Sequence, residues 1–385
     1  MSDTLAGVRI VDLTHYVAGP YMTMLMADLG AEVIKVEGPE GDVVRRLGPP
    51  FEPDGYSPYF RSVNRNKKSV VLDLKQDEDR ELLFDLVATA DVVVDNFRYG
   101  VTRKLHVTHD DLKRVKPDII TCSITAFGED GPYRDRPAFD LILQAMSGGM
   151  SITGEPGGRP VRAGVPIGDL AGGLFGAFAV CAAMLRRHRT GTGQHIDIAL
   201  LDVQVSMLTY VAQYYLTDSQ VPGPSGSAHT STVPYQLFQT SDGYVVSGLL
   251  AEHFWPKFCA ALGMPELVER YPTNGARVAA RHELVPIIEE RLRQRTTGEW
   301  VDALIEAGVP VGPFNTIDQV LADRQVRHRG MVTSDGEHPI IGNPIKTGSS
   351  DTFSSAPRLG EHTDEIIGPL RAARAARRVA DQNSR

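Results

Sequence analysis

Short apolar runs alternate with amphipathic segments along the first 125 residues of the chain. The runs rich in valine and isoleucine are typical of buried strands, and they span residues 8–13, 31–37, 70–74, 91–95 and 118–124. Segments 21–29 and 76–90 lie between these runs and have the length and apolar character of helices. Strands that alternate with helices form parallel sheets, so this region is predicted to fold as a Rossmann-like α/β domain.

The first strand–helix–strand unit lacks the glycine fingerprint of dinucleotide-binding proteins. Its turn contains Gly19 alone, whereas close approach to a pyrophosphate requires GxGxxG. NAD and FAD are therefore not expected. Asn96, Phe97 and Arg98 follow the strand 91–95, at the sheet edge where open α/β folds bind ligands. The sequence predicts a ligand site at this edge.

A second pattern begins after residue 216. Residues 217–232 are dominated by Pro, Gly and Ser, which is typical of a linker. The segment 233–322 predicts a hairpin followed by helices, and thus a smaller α+β domain. Residues 323–385 are expected to return to the large domain, 1–216, and to end in a basic tail that frays from residue 371.

A glycine-rich apolar segment, 164–178, contains one carboxylate, Asp169. Asp169 follows a Pro/Gly turn and precedes a long apolar run, so it is predicted to be the N-cap of a helix. Gly172, Gly173 and Gly176 each cost about 1 kcal/mol in a helix interior, and close approach of a bulky group is the usual reason for glycine there. Asp169 is thus either the cap of a tightly packed helix or a carboxylate presented at a cleft as a nucleophile or base.

Two further polar features each have two interpretations. The basic, amide-rich turn 64–69 is either a solvated hairpin or a collector of phosphates. Asp140 lies in a predicted helix, 138–147, and is either a structural hydrogen-bond acceptor or a second catalytic acid.

The composition excludes several classes of function. A hydrophobic content of 42% and a charged content of 23% are typical of a soluble globular protein, and the net charge of -8 argues against nucleic acid or an anionic membrane as the main partner. Widely spaced cysteines predict no disulfide framework and fit a reducing cytoplasm. We expect no metal site, no signal peptide and no membrane span, because the apolar run 170–185 is too short and too glycine-rich. Hydrolase elbows and Walker loops are also absent.

Several motifs taken together resemble the family III CoA-transferases, a group that also includes α-methylacyl-CoA racemase. They are LAGVRIVDLTHYVAGPYMTMLMADLGAEVIKVEGPEGD, NRNKKSVVLDLK, ADVVVDNFRYGV, the Asp169 segment, RRHRTGTGQHIDIALLD and LGEHTDEI. The resemblance runs from about residue 5 to residue 370. It implies a Rossmann-like large domain with a parallel sheet, a smaller α+β domain, and a homodimer of two interlocked chains. Coenzyme A or acyl-CoA is then a substrate, and no tightly bound cofactor is expected.

The resemblance also assigns residues to roles. It places the catalytic aspartate at Asp169. It places contacts with CoA at His15, Ala18, Leu72, Lys75, Asn96, Phe97, Arg98 and Lys104. The candidates for contact with the acid substrate or with an oxyanion are Val17, Phe139, Asp140 and Gly168.

Two positions depart from the oxalate enzymes of the family. Gly38 stands where those enzymes have an arginine that contacts the nucleotide, and Lys35 or Arg45 is expected to substitute for it. Val17 replaces a glutamine that orients small acids, so oxalate and formyl-CoA are disfavoured as substrates.

The mechanism implied by the resemblance begins with attack of Asp169 on an acyl-CoA thioester. A carboxylate with an ordinary pKa of about 4 is ionised at neutral pH and needs no separate base. Covalent aspartyl intermediates then pass CoA to a small carboxylic acid, with succinyl-CoA as the expected donor. Gly172, Gly173 and Gly176 are expected to make room for the pantetheine arm or a second subunit.

Other functions stay open at the level of sequence. A racemase of the same family needs a histidine just before the acid at 140, where this chain has Phe139. Transfer of CoA between two carboxyls of one diacid uses the same aspartate. A non-catalytic acyl-CoA-binding protein is the third alternative, and an intact Asp169 argues against it.

Overall fold

Six parallel strands form the centre of the larger unit in the computed structural model, which describes residues 3–53, 55–348 and 352–383. The strands are β1 (Arg9–Asp12), β2 (Glu32–Glu37), β3 (Lys67–Val71), β4 (Val92–Asp95), β5 (Ile120–Thr125) and β6 (His195–Ala199). They pair in the order β3-β2-β1-β4-β5-β6, and each pair is parallel. The predicted Rossmann-like sheet is confirmed. Its strand order reverses between β1 and β4, and ligands of such sheets bind off the strand ends at this point.

The chain divides into two units. The larger unit takes its described residues from Met1–Gly149, Arg162–Ser219 and Arg324–Arg385, and the smaller unit takes them from Met150–Val161 and Gln220–Asp323. The sequence pattern had placed residues 150–161 with the large domain. They are polar and glycine-rich, and no apolar periodicity marks which unit they join.

The central strands are apolar on both faces because both faces are covered. Ile10 of β1 lies in one core with Val92 and Val94 of β4, whereas Val11 and Val93 face the other core. Side chains of a strand point alternately to opposite faces. The near-continuous apolar runs seen in the sequence are therefore the signature of a sheet buried on both sides.

Helices surround this sheet. In chain order they are α1 (Ala18–Asp28), α2 (Pro58–Arg61), α3 (Asp77–Val87), α4 (Val101–Lys104), α5 (His109–Lys113), α6 (Asp140–Met146), α7 (Ile167–Thr190), α8 (Leu200–Ser206) and α9 (Thr209–Asp218), with 3₁₀ turns at Val43–Arg46 and Gly149–Ser151. The single helix predicted over 202–215 is two helices. Thr209 has a φ of 43°, which α-helical geometry does not allow, and the chain bends there.

The strand β3 begins earlier than the apolar pattern predicted, because its first residue is a buried lysine. The ammonium of Lys67 is 3.0 Å from Asp12 Oδ2 and is fully buried. Arg65, in the turn before it, is paired with Asp28 at 2.6 Å. Lys68, the third cation of the turn, lies 3.2 Å from Glu32 and 2.9 Å from Glu365. All three cations are therefore paired, so the turn is neither a solvated hairpin nor a free phosphate site.

The glycines of α7 admit parts of the same chain, so the expectation that they make room for pantetheine or a second subunit was wrong. A Cβ on Gly173 would lie 2.7 Å from the carbonyl oxygen of Ala18 in α1. A Cβ on Gly176 would lie 2.8 Å from Met22 Sδ, and one on Gly172 would collide with Leu200. Glycine is needed here because α1 crosses α7 at backbone contact.

Length and composition alone would allow α7 to cross a membrane. This helix has 24 residues, with a mean hydropathy of 1.7 in its most apolar window. It is longer than the apolar run 170–185, which had been expected to be too short to span a membrane. One such helix is weak evidence, because a core helix passes the same test. Val180 and Ala183 of α7 are buried in the core against the sheet.

The smaller unit is an α+β fold. A three-stranded antiparallel sheet in the order β7-β8-β9 is formed by β7 (Tyr235–Gln239), β8 (Tyr244–Gly248) and β9 (Val311–Pro313). Its helices are α10 (Phe254–Leu262), α11 (Glu266–Arg270), α12 (Asn274–Ala279), α13 (Arg281–Leu292), α14 (Thr297–Glu306) and α15 (Ile317–Ala322). Trp255, Phe258 and Trp300 are fully buried at its centre. The predicted hairpin and the longer helices are present, and α11 and α12 were missed because they span only 5 and 6 residues.

The C-terminal segment returns to the larger unit through α16 (Arg324–His328), the hairpin β10 (Val332–Ser334) and β11 (Pro339–Ile341), and α17 (Thr363–Asn383). The prediction of a fraying tail over 371–385 was wrong as far as Asn383, where α17 ends, and residues 384–385 lie outside the described residues. Arg374 explains the difference, because its guanidinium pairs with Glu81 and Asp85 of α3. Ile367 anchors the same helix in the core.

Candidate active site

A cleft of about 220 Å³ opens off the C-terminal ends of β1, β4 and β5, where the strand order reverses. The β1–α1 turn, the segment after β4, the loop before α6 and the first turn of α7 supply its walls. The residues that define it are Tyr16, Val17, Ala18, Asn96, Phe97, Arg98, Tyr99, Arg134, Arg136, Phe139 and Asp169. The cleft therefore brings together residues that are far apart in the sequence, and seven of those named were predicted as site residues: Val17, Ala18, Asn96, Phe97, Arg98, Phe139 and Asp169.

Asp169 lies in the first turn of α7, two residues after its first residue, Ile167. The prediction that it is the N-cap was wrong, because Pro166 holds that position and no side chain caps the helix. Pro166 immediately precedes the helix, and helical geometry is already established when the chain reaches Asp169. A carboxylate in a first turn still gains from the helix dipole.

The pKa of Asp169 is raised to about 7, first by burial and then by the nearby carboxylate of Asp140. The expected ordinary pKa of about 4 was therefore wrong. Removal from water and a like charge both favour the protonated form, and they outweigh the helix dipole here. Asp169 is thus divided between its two protonation states near neutral pH.

Asp140 forms hydrogen bonds that fix the start of α7, where Asp169 lies. Its Oδ1 accepts a hydrogen bond from the amide of Gly168 at 2.8 Å, and its Oδ2 accepts one from Gln144 Nε2 at 2.5 Å. Gln144 Oε1 in turn accepts from the amide of Ala163 at 2.8 Å. The carboxylate and amide of α6 thereby fix both ends of the loop that leads into α7.

Gly168 has a structural role in this conformation. Its amide is used by Asp140, so it is not free to stabilise an oxyanion as predicted. A Cβ at this position would collide with the side-chain amide of Gln204. The glycine lets α6, α7 and α8 meet directly behind the carboxylate of Asp169.

The β1–α1 turn forms the opposite wall of the cleft. His15 donates its amide to Asn96 Oδ1 at 2.8 Å, and Asn96 Nδ2 donates to the carbonyl of His15 at 2.7 Å. Tyr16 has a φ of 64°, a left-handed conformation that is strained for a residue with a side chain. The paired bonds to Asn96 hold this turn, and the next residues, Val17 and Ala18, begin α1 with amides that have no partner inside the helix.

Four of the eight predicted CoA contacts line the cleft, and the other four do not. Ala18, Asn96, Phe97 and Arg98 line the cleft together with Asp169. Among the others, His15 lies beside Phe97 with ring centroids 5.9 Å apart, Leu72 is buried in the core, and Lys75 and Lys104 are exposed outside the cleft lining. Contact of a ligand with Leu72 would have to use its backbone.

Neither proposed replacement for the missing nucleotide-binding arginine is available. Lys35 is fully buried, with its ammonium 3.1 Å from Asp42 and 2.6 Å from the carbonyl oxygen of Thr14. Arg45 forms two hydrogen bonds with Glu37, at 2.6 and 2.8 Å, and lies over the ring of Phe60. The prediction for these two residues was wrong because both cations are committed to the fold.

Sequence reasoning missed Tyr99, Arg134 and Arg136. The Arg134 guanidinium lies 4.7 Å from the centre of the Tyr99 ring, and that of Arg136 lies 4.3 Å from the centre of the Tyr133 ring. The signal that could have found them is the run Tyr133-Arg134-Asp135-Arg136, which places cations and an aromatic ring shortly after a strand end.

A second cavity of about 590 Å³ shares Phe97, Arg98 and Tyr99 with the cleft. A polar chain crosses it, in which Thr121 Oγ1 contacts the rings of His109 and His195 at 2.9 and 2.8 Å, and His195 Nε2 contacts Glu129 at 2.9 Å. The hydrogen bond to Glu129 raises the pKa of His195. Within the described ranges, no group of three or more metal-ligating side chains could hold a metal ion.

The fold and the cleft define a protein of the CoA-transferase type, and the comparisons with known proteins give the family. The model of CoA-transferase family III matches residues 5–363, and the chain belongs to this family. The chain is an enzyme of the transferase class that acts on CoA thioesters. The resemblance of its motifs to this family is confirmed.

Two curated relatives and one solved structure are similar to the chain over nearly its whole length. The chain is 42% identical to the succinyl-CoA:glutarate CoA-transferase of Mus musculus, over 94% of this chain and 85% of the relative. It is 39% identical to the succinate–glutarate CoA-transferase of Agrobacterium fabrum, over 95% of both chains. The crystal structure of a CAIB/BAIF family protein from Brucella suis is 40% identical and superposes with a TM-score of 0.87, over 96% of this chain and 100% of that chain.

Proposed function

We propose that this enzyme moves CoA from succinyl-CoA to a short dicarboxylic acid through covalent intermediates on Asp169. The observation that carries the proposal is the position of Asp169, a carboxylate in the first turn of α7 that lines a small cleft at the strand reversal. The names of the relatives support succinyl-CoA as donor and a dicarboxylate such as glutarate as acceptor.

The first half of the proposed reaction loads CoA onto the enzyme. The ionised carboxylate of Asp169 attacks the thioester carbonyl, the carbon–sulfur bond breaks, and CoA leaves as a thiolate. The product is a mixed anhydride of Asp169 and succinate. The thiolate then attacks the aspartyl carbonyl of this anhydride, which releases succinate and leaves CoA as a thioester of Asp169.

The second half runs the same steps in reverse with the acceptor. The carboxylate of the acceptor attacks the aspartyl thioester and expels the thiolate, and the thiolate attacks the acceptor carbonyl of the new anhydride. Asp169 is released as a carboxylate, and no proton is gained or lost overall. Because the thiolate stays in place between steps, positioning contributes on the order of 7–11 kcal/mol to lowering the barrier.

The residues of the cleft have distinct parts in this mechanism. The first amides of α1, at Ala18 and Gly19, have no helical acceptor and serve as donors to the tetrahedral oxyanions. Asn96 keeps that turn in place through its two bonds with His15. Asp140 sets the position of Asp169 through Gly168.

The racemase alternative lacks its second partner. Phe139 occupies the position of the required histidine and packs edge-on against Tyr16, with ring centroids 5.6 Å apart. Among the described residues, no histidine lines the cleft. Transfer of a proton between two faces of a substrate carbon needs an acid and a base on opposite sides, and this arrangement favours acyl transfer.

We also propose that the enzyme is a cytoplasmic homodimer that needs no tightly bound cofactor. Exposed apolar side chains extend over α6, α7 and the segment from α8 to α9, and they include Ile142, Phe175, Phe178, Leu185, Met207 and Leu216. Phe178 is 76% exposed and Leu216 is 72% exposed. Clusters of large exposed apolar side chains are typical of interaction sites, and a second copy of the chain is the occupant that the family resemblance implies.

The experiment that tests the proposed function traps the intermediate. Incubation with succinyl-CoA and hydroxylamine should convert Asp169 into a hydroxamate, which peptide mass spectrometry locates. Asp169→Ala should abolish CoA transfer and retain binding of CoA. Modification at another residue would contradict the assignment, and uptake of deuterium at the α-carbon of a 2-methylacyl-CoA in heavy water, without CoA transfer, would favour the racemase.

A further inference from the structure

Three arginines line the cleft together with Asp169, and they differ in their anionic partners. Arg134 has the carboxylate of Asp135 at 3.5 Å and lies over Tyr99. Arg98 is exposed and is the cation that the family resemblance assigns to CoA. Arg136 forms no ion pair with any carboxylate in the described part of the chain. It is therefore the cation of the cleft that has no assigned anion.

The aromatic ring beneath Arg136 prepares it to bind a carboxylate. Its guanidinium carbon lies 4.3 Å from the centre of the Tyr133 ring, and Phe127 lies 5.9 Å away on the same cluster. A planar guanidinium stacked on a ring leaves its N–H edge available, and that edge matches the two oxygens of a carboxylate. The ring also reduces the freedom that the arginine side chain loses on binding.

A dicarboxylic substrate needs such a group. When one of its carboxyls reacts at Asp169, the other remains ionised and enters a small cleft that already holds Asp169. An ionised carboxylate that leaves water without a partner is strongly disfavoured, and Asp140 behind Asp169 adds further negative charge. Arg136, which lines the same cleft, removes this penalty for a diacid and gives nothing to a monocarboxylic acid.

We propose that Arg136, supported by Tyr133, binds the distal carboxylate of the dicarboxylic donor and acceptor and thereby sets the specificity for diacids. The inference rests on the proposed function and names the residue that selects its substrate. The same cation could instead meet a phosphate of CoA, since both ligands are anions. The test therefore has to separate acids that share the CoA moiety and differ in the second carboxylate.

The test compares two transfer reactions in the full-length protein. The diacid reaction uses succinyl-CoA and glutarate, and the monoacid reaction uses butyryl-CoA and valerate. Arg136→Gln should lower kcat/KM for the diacid reaction by about 100-fold, because the distal carboxylate of the substrate then enters the cleft without a cation to bind it. The monoacid reaction should change by less than about threefold, and Arg136→Lys should recover part of the diacid activity because it restores charge without the bidentate edge.

Controls separate the possible failures. Arg103→Gln removes an arginine that lines the second cavity and not the cleft, and should affect neither reaction. An equal loss in both reactions, or a rise in KM for both CoA thioesters, would overturn the inference and indicate binding of CoA phosphate. If the wild-type enzyme transfers CoA to no acid at all, the proposed function is wrong. If Arg136→Gln transfers CoA between diacids at the normal rate, the role of Arg136 is wrong and the proposed function stands.

Discussion

At the scale of single residues, the ionisation of Asp169 controls the proposed chemistry. The sequence located this residue through its glycine-rich surroundings and the motifs around it. Its pKa was not predictable in the same way, because the shift comes from burial and from Asp140, which is 29 positions away in the chain and adjacent in space. The same limit applies to Lys35 and Arg45, whose partners are visible only after folding.

A pH profile follows from the raised pKa of Asp169. The proposed nucleophile is the ionised form of Asp169, so kcat/KM for succinyl-CoA should rise with pH through a midpoint near 7, the pKa of this carboxyl in the free enzyme. Asp140→Asn removes the neighbouring negative charge and keeps an oxygen for the amide of Gly168. This variant should move the midpoint to lower pH, because a like charge raises a carboxyl pKa.

The control for this experiment is Asp202→Asn, which removes an exposed carboxylate of α8. Its profile should match that of the wild type. A wild-type rate that stays constant from pH 5 to pH 8 would contradict the assignment of the raised pKa to the attacking group.

At the scale of elements, the packing of α7 on α1 joins the fold to the cleft. The apolar runs predicted the strands and the long helices well, because burial on both faces of a sheet leaves a strong signal. The start of β3 and the start of α7 were misplaced, since a buried ion pair at Lys67 and a proline cap at Pro166 have no apolar signature. The glycines of α7 signalled close contact, and the contacting element could not be identified without the structure.

Gly173→Ala should test this contact. The new Cβ would meet the backbone of α1 at 2.7 Å from the carbonyl oxygen of Ala18, which a side-chain rotation cannot relieve. We expect a loss of about 1–3 kcal/mol in the free energy of unfolding, together with lower activity, because Ala18 lines the cleft. Urea denaturation and kcat measure the two effects.

Gly298→Ala in α14 is the matched control for that substitution. No atom lies within 4 Å of a Cβ at this position, so alanine should stabilise the helix by up to about 1 kcal/mol. Equal effects of the two substitutions would show that helix propensity, and not the contact with α1, determines the result at Gly173.

At the scale of the whole molecule, the division into a Rossmann-like unit and a smaller α+β unit agrees with the change in pattern near residue 217. Residues 150–161 were expected in the large domain and belong to the smaller unit. A short polar segment does not show which core it joins. The apolar outer faces of α6 to α9 could not be recognised from sequence either, since an exposed apolar face and a buried one have the same periodicity.

The assembly state tests the meaning of that face. Light scattering should give the wild type a mass about twice the 42.0 kDa of one chain. Phe178→Glu places a charge at the centre of the exposed face of α7 and should yield monomers, whereas Phe178→Leu should stay dimeric. A wild type that is monomeric at micromolar concentration would contradict the proposed homodimer.

The raised pKa of Asp169 also has a thermodynamic consequence for folding. A carboxyl that holds its proton more tightly when folded than when unfolded makes the native state less stable as pH rises from about 4 to about 7. The loss is on the order of 1–3 kcal/mol after allowance for partial solvation. Acylation of Asp169 would remove the charge that causes this loss, so the proposed covalent intermediate is the form in which the fold is relieved of that destabilisation.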